Sequence, residues 1–457
     1  MSFVDDFLQN KSDEKSTHDG VQFSLIRDID ELAPKFLTTR TVFWGLYFFS
    51  LIINLVVGFA HNFRASYDLL AADEAEYVQL ANALLDGSLM VSARRTLGFP
   101  VILAAIFSIS KNIVFLQCVI AAIYAFSAPM LFMAVRRLTG ALVAAAIAGV
   151  ALALWPASIF QGVSVLSESA ALPMFLGVLA WLPAGSRLSG KVMTNARAAI
   201  ISGLMLGVLT HVRPMYLLFL PILLMIIVIE ERHIFLAAKR FSLIMVAYLV
   251  IILPWSVYVS TTFHRPILLS SNGGETLAGG LSPVLLEPRD DYVTATGRST
   301  WVGAGKWISI QDNGYLTKQE LALPYEAQDK LMRDRALAWI FSNPKQAIYI
   351  ELCKLGYMWG VYPITKMHPV EIIAGNIPIV VLLVFSIVSL LARPVLALAL
   401  ARFWTQVLFV SAVGLISWGS WRFRQPADAA LLAVATLSAL SIGHVRQLVR
   451  RALLALR

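Results

Sequence analysis

The chain of 457 residues carries a formal net charge of +9, is 58% hydrophobic and only 14% charged, and has a mean hydropathy of +0.72. That balance excludes both an ordinary soluble globular domain and an intrinsically disordered chain. The basic excess sits in short connections between apolar runs, which points to a membrane and not to a nucleic acid partner.

In chain order, residues 1–40 are polar and of mixed charge, with no basic segment and short apolar core ahead of a cleavage site, so no cleaved signal peptide is expected. The first apolar run, TVFWGLYFFSLIINLVVGFA at 41–60, then reads as a retained anchor of the roughly 20 residues that a helix needs to cross the hydrocarbon layer. A later run, IPIVVLLVFSIVSLLA at 377–392, approaches that length, and neither shows the alternation of a transmembrane β-barrel. Lys and Arg cluster at Arg136 and Arg137, at Arg187, Lys191 and Arg197, at Arg232, Lys239 and Arg240, at Arg393, and at Arg446, Arg450, Arg451 and Arg457. If these are cytoplasmic, ten spans follow, near 41–60, 113–135, 140–157, 166–184, 197–212, 214–230, 241–260, 371–391, 395–418 and 426–443. Both termini then lie inside a bacterial-type inner or plasma membrane, and the shorter apolar stretches 98–110 and 346–362 rest on the outer face. Twelve crossings are the alternative, and they would put most basic loops outside. Cys118 and Cys353 are the only cysteines, which gives no disulfide or metal framework and leaves the redox compartment open.

The expected organisation is an all-α polytopic membrane protein. It has a cytoplasmic tail (1–40), a transmembrane core (41–260) that includes an outer loop at 61–112, a second outer loop (261–370), C-terminal spans (371–443) and a basic tail (444–457). Chemistry belongs on the two long outer segments. In the first, ADEAEYVQLANALLDG at 72–87 places Tyr77, Leu80, Ala81, Leu84 and Leu85 at helical spacing, with Glu76, Gln79 and Asp86 largely on the other side and Gly87 as a stop. It reads as an interfacial helix. Asp73, three residues before Glu76, fits a capping-box variant and equally fits a carboxylate fixed at the membrane surface to accept a proton. In the second outer segment, SSNGG at 270–274 reads as a turn in which Asn272 could meet a sugar or phosphate, and residues 324–342 read as an amphipathic helix between prolines.

ADEAEY followed by LANALLDG resembles the D-E-x-x-Y and L-A-x-x-L-x-x-G pattern in the first outer loop of the GT-C superfamily, especially the polyprenyl-phosphate-sugar transferases of glycosyltransferase family 39. Those include the protein O-mannosyltransferases and the lipid A aminoarabinose transferases. Further matches follow in order: GFP (98–100), RRLTG (136–140), LSES (166–169), RPMYLLFLP (213–221), LPWSVYVS (253–260), SSNGGETLAGG (270–280), FSNP (341–344) and WRFRQPAD (421–428). The resemblance covers nearly the whole chain from about residue 41.

It implies transfer of a sugar from a polyprenyl-phosphate donor to a glycan, lipid or protein acceptor at the outer face. An acceptor hydroxyl needs a base, and the first aspartate of the motif matches Asp73, with inversion of the anomeric centre expected. The departing phosphate needs cations, for which an arginine fork is suited. Arg213, Arg422 and Arg424 lie on the outer side in the ten-span topology, with Arg94 and Arg95 as further candidates. His211 reads as a packed histidine. Glu74 and Glu168 complete the substrate-site set, and a divalent ion held by Asp73, Glu74 and Glu168 would suit hard-cation chemistry, although the residues fix no cofactor. The chain departs from the aminoarabinose transferases in having SARRTLGFP, with no carboxylate between Asp86 and Gly98, where that group has an acidic and basic pair. A transporter or lipid-linked sugar flippase is the other class with this hydrophobicity, and it would predict inverted repeats with broken helices, which the sequence lacks.

Overall fold

The computed structural model describes residues 26–34, 36–62, 64–70, 72–88, 94–186, 196–231, 233–286, 315–361 and 376–455. Among these residues every regular element is helical. Arg187, Lys191, Arg232 and Arg457, singled out in the sequence, lie outside them.

Three helices are long and apolar enough to cross a membrane, Thr39–Gly58, Ile113–Thr139 and Ile234–Thr262. Shorter apolar helices stand at the other expected spans: Leu142–Ala153, Ser167–Trp181, Ala196–Val212, Pro214–Glu230, Ile377–Leu391, Ala401–Ile416 and Gln425–Leu440. The first span begins at Thr38, whose hydroxyl accepts from the Thr41 amide in a capping box, and it ends in a π-helical turn, Asn54–Gly58. Ala196–Val212 packs along Ile234–Thr262, and Gly203 and Gly207 on the former let the backbones close up. A Cβ at Gly203 would stand 2.3 Å from the Ile244 carbonyl oxygen, and one at Gly207 would stand 2.7 Å from the Ile251 Cβ. In a bundle that lacks a hydrophobic drive between apolar helices, such small-residue contacts supply much of the association.

The Ser167–Trp181 helix is buried along most of its length and runs for about 22 Å, at 1.5 Å per residue, between two charged clusters. At its C-terminal end the carbonyls of Leu179 and Leu182 accept from Arg402 at 3.4 and 3.1 Å. Arg402 also pairs with Glu230 at 2.8 Å, and Arg240 pairs with Glu230 at 3.3 Å and Glu231 at 3.1 Å. All four side chains are buried, and their charges are paired with one another. Arg137 lies at this end too, donating to the Ala180 carbonyl at 3.3 Å. Residues 26–34, expected to be part of a polar tail, pack onto it: Ile26 and Ile29 are buried, and Asp30 accepts from the amides of Leu142 and Val143 at 2.7 and 2.9 Å. The basic C-terminal segment is the helix Gly443–Ala455, turned 91° from the preceding Arg422–Leu440 helix.

The N-terminal end of Ser167–Trp181 meets the segment 61–112, expected to be the first outer one. Ala72–Leu85 is helical, as the periodicity predicts, and Gly87 adopts φ +82° beyond it. Its buried face is Glu74, Tyr77, Val78 and Ala81, while Leu85 is exposed, so the inward stripe is rotated from the one expected. The helix packs on Gly98–Phe107. Gly98 abuts the end of Ala196–Val212, where an added Cβ would lie 2.4 Å from the His211 carbonyl carbon, and this fixes the first outer segment on the core. From the second outer segment, Gly273–Gly280 packs on Tyr325–Ser342, which matches the helix expected at 324–342, and Pro344–Met358 packs on Ala401–Ile416.

Candidate active site

Asp73 lies in the first turn of its helix, where its position suits a cap, yet both carboxylate oxygens are bound elsewhere. Oδ1 accepts from Arg95 at 2.9 Å and Oδ2 from Arg422 at 2.7 Å. The residues come from the first outer segment and from the short turn Trp421–Arg424, which are 349 positions apart. Burial alone would raise the Asp73 carboxyl, but Arg422 and Arg95 more than offset it and hold it at about 2. The group is therefore ionised in the resting protein.

Arg422 also reaches Glu168, at 3.5 Å, and Glu168 pairs at 2.5 Å with Arg213. Ser167 lies beside them, accepting from Arg213 at 3.0 Å and standing 3.2 Å from the Tyr77 hydroxyl. Arg213 and Arg422 both sit against the Phe423 ring, at 5.0 and 5.5 Å. On the other side of Asp73, Arg95 binds Glu76 at 2.8 Å, and Glu76 accepts from Arg94 at 3.0 Å. Arg94 then grips Glu275 of the second outer segment with two bonds, at 2.9 and 2.5 Å, and the Tyr325 hydroxyl donates to the same carboxylate. Burial would raise Glu275, and Arg94 reverses this and holds it below the usual carboxylate range. The Tyr325 phenol is pushed up by its own burial and by the Glu275 charge. Four carboxylates and four guanidiniums, on segments distant in sequence, thus alternate in one chain of contacts.

Of the residues expected at the site, Asp73, Glu168, Arg213 and Arg422 come together. Three others stand apart. Glu74 is buried, and its carboxylate accepts from the Val165 amide at 3.0 Å, securing the approach to the Ser167–Trp181 helix. Arg424, three percent exposed, binds Asp428 at 2.7 Å and the Met358 carbonyl at 2.5 Å. It braces the turn that presents Arg422, since the two side chains leave that turn towards different partners. Asn272 accepts from the Ser270 hydroxyl at 2.9 Å at the start of the helix that brings Glu275 in. His211 stands 3.2 Å from the Ile251 carbonyl and edge-on to Trp255, as a packed histidine would.

The three-carboxylate ion site does not assemble, because Glu74 is committed to Val165 and Arg422 separates Asp73 from Glu168. Among the described residues no group of three His, Cys, Asp or Glu could hold a metal ion. Residues that carried less weight in the sequence contribute most to the geometry. Arg94 and Arg95 form a doublet in a segment expected on the outer side, against the usual distribution of basic residues, and that anomaly was the available signal for their pairing. Glu275 carried no signal beyond its place in SSNGGET. Lys354, one percent exposed, donates to the carbonyls of Leu415 and Ser417 at 2.9 Å each and so secures the segment that leads to Arg422.

No protein-family model and no curated protein matches the chain. Among solved structures it is similar to the oligosaccharyltransferase AglB from Archaeoglobus fulgidus in complex with an inhibitory peptide and a dolichol-phosphate. The TM-score is 0.50 at 15% identity, over 91% of this chain and 52% of that one. A second structure of the Archaeoglobus fulgidus oligosaccharyltransferase, tethered with an acceptor peptide, gives 0.47 at 14% identity, over 87% and 49%. ArnT from Cupriavidus metallidurans bound to undecaprenyl phosphate gives 0.43 at 15%, over 88% and 78%. The chain therefore shares the fold of that archaeal oligosaccharyltransferase. The chain spans about half the length of the archaeal enzyme it matches.

Proposed function

We propose that the protein transfers a glycosyl group from a polyprenyl-phosphate donor to a hydroxyl of a glycan, lipid or protein acceptor, at the outer face of a ten-span bundle. The observation that carries this reading is the placement of the Asp73 carboxylate between Arg95 and Arg422, with Arg422 shared with the Glu168–Arg213 pair. A carboxylate suited to accept a proton and guanidinium groups suited to a phosphate thereby stand side by side at one end of the bundle. The likeness in fold to a structure holding a dolichol-phosphate supports a lipid-phosphate ligand.

Asp73 accepts the acceptor's hydroxyl proton as the oxygen attacks the anomeric carbon and the bond from that carbon to the phosphate oxygen breaks. Attack opposite the leaving phosphate inverts the centre. Arg422 and Arg213 bind the phosphate and stabilise the charge that develops on it. Asp73 is a weak proton acceptor while both arginines hold it. The donor phosphate therefore also activates the base, by drawing Arg422 away and making the carboxylate more basic. Glu168 keeps Arg213 and Arg422 in place before the donor arrives.

The polyprenyl-linked sugar pool of the host tests this reading. Cells in which the native protein is replaced by Asp73→Asn should accumulate the donor as a deletion does, while the variant protein inserts and purifies with unchanged yield. Normal consumption of the donor by that variant would remove Asp73 from the base role.

A further inference from the structure

The end of the bundle opposite Asp73 carries a feature that the proposed reaction does not use. A cavity of about 390 Å³, open on one side and lined almost wholly by carbon, lies between the first span, the Leu142–Ala153 helix and the C-terminal helix. Leu37 and Val42 form one wall, Val143, Ala146 and Val150 a second, and Leu453 closes the third. Ile147 and Val150 remain over a third exposed there.

Unpaired cations stand on two of the elements that wall this cavity. Arg40 lies between Leu37 and Val42 in sequence and is exposed. Arg446 and Arg450 precede Leu453 at spacings of seven and three, which puts all three on one stripe of the Gly443–Ala455 helix, and Arg451 adjoins it. None of these four guanidinium groups has a hydrogen-bond or ion-pair partner among the described residues. The nearby Asp30 is already bound to the Leu142 and Val143 amides and to Arg136. The 91° turn before Gly443 lays this helix across the end of the bundle, and Leu448 and Leu454 on it are 63% and 54% exposed. An amphipathic basic helix in that attitude matches a membrane surface.

We infer that this is a binding site for an anionic phospholipid of the inner leaflet, with one acyl chain in the cavity and the headgroup phosphate against Arg40 and the arginines of the C-terminal helix. The cavity is apolar and thus suits a chain, while the four unneutralised cations on the elements that wall it favour a negative headgroup. The site is independent of the glycosyl reaction, so its test needs no sugar donor.

The full-length protein in detergent is equilibrated with palmitoyl-oleoyl phosphatidylglycerol or the matching phosphatidylcholine, and retained lipid is counted by native mass spectrometry. The wild type should retain phosphatidylglycerol in preference, and the preference should fall by roughly fivefold for each arginine removed. The variant Arg40→Gln/Arg446→Gln/Arg450→Gln/Arg451→Gln should lose the preference and remain folded, as judged by its melting temperature in phosphatidylcholine. Ala146→Phe fills the cavity and should lose the retained lipid with every arginine present. Glycerol 3-phosphate alone should leave the melting temperature unchanged. Equal retention of the two lipids by the wild type, a preference that survives the fourfold substitution, or full retention by Ala146→Phe would each overturn the assignment. Stabilisation by glycerol 3-phosphate equal to that by phosphatidylglycerol would also overturn it, leaving only an anion site.

Discussion

Replacing Asp73 by asparagine should strengthen the binding of a polyprenyl phosphate while ending transfer. In the resting site Arg422 and Arg95 give two of their bonds to the Asp73 carboxylate, and a phosphate must compete for them. The carboxyl is held at about 2, against an ordinary 3.8, so the arginines favour its charge by about 2 kcal/mol net of burial. The coupling is reciprocal, and the carboxylate restrains the arginines by a similar amount. With only a quarter of the side chain exposed, solvent screens this coupling modestly. The asparagine would keep the shape and remove the charge, releasing Arg422 to the phosphate. Arg95 stays tied to Glu76, so only part of the coupling is recovered, and the expected gain is roughly tenfold in affinity, or about 1.4 kcal/mol. Arg422→Gln should lose roughly ten- to a hundredfold, since a charge-assisted hydrogen bond contributes about 1.5–3 kcal/mol. Undecaprenyl phosphate titrated into purified protein, followed by tryptophan fluorescence or native mass spectrometry, measures both. If Asp73→Asn binds undecaprenyl phosphate no more tightly than the wild type, the competition for Arg422 is wrong, whatever happens to transfer.

The same pair gives a pH dependence. The folded carboxyl titrates below its unfolded value, so its contribution is present above about 4 and is lost as pH falls towards 2; the melting temperature should drop through that window, and less steeply in Asp73→Asn. Glu275→Gln should weaken the Arg94 grip by about 1–3 kcal/mol and raise amide exchange in Gly273–Gly280, and unchanged exchange there would show that the second outer segment is held by other contacts. Glu230→Gln leaves Arg402 and Arg240 buried without their shared charge and should cost about 3–5 kcal/mol, read as a loss of folded protein in a thermal scan, with the arginine cluster at the other end intact in whatever remains. Gly98→Ala places a methyl 2.4 Å from the His211 backbone and should lower both stability and transfer by shifting the first outer segment.

The helices were legible because apolar length and basic loops are properties of single segments. Thr39–Gly58 and Tyr325–Ser342 fall within a few residues of the runs expected at 41–60 and 324–342. Asp73, Glu168, Arg213 and Arg422 were legible through a resemblance of ordered motifs, since nothing local says that residue 73 meets residue 422. What escaped was pairing. Glu74 and Asp73 are neighbours of the same type, yet the helix turn of about 100° between them sends one to Val165 and the other to the arginines. Arg422 and Arg424 divide in the same way between the site and Asp428. Glu275 escaped for another reason: its partner Arg94 is 181 residues away, on an outer loop whose basic doublet had no assigned acid.

The charge balance of the cluster explains why Arg422 stands where it does. Asp73, Glu76, Glu168 and Glu275 offset Arg94, Arg95, Arg213 and Arg422, so the resting site is neutral, the least costly state for so many half-buried ions. A polyprenyl-phosphate sugar is a phosphodiester and adds one negative charge. In the proposed transfer the phosphate would gain a second negative charge as the sugar leaves, while Asp73 would take the acceptor's proton and lose its own. The sum inside the site is therefore constant during transfer, and only the position of one charge changes, from Asp73 to the phosphate. Arg422, bonded to Asp73 at rest and free to turn to the phosphate, can stay beside that charge throughout, with Glu168 and the Phe423 ring limiting how far it moves. A cation that follows the migrating charge stabilises the transition state without solvent having to reorganise. Lysine at 422 would keep the charge but could not bridge Asp73 and Glu168 at once, so Arg422→Lys should retain much of the undecaprenyl phosphate affinity and lose most of the transfer rate. Equal losses in binding and transfer would mean that Arg422 serves only to hold the donor.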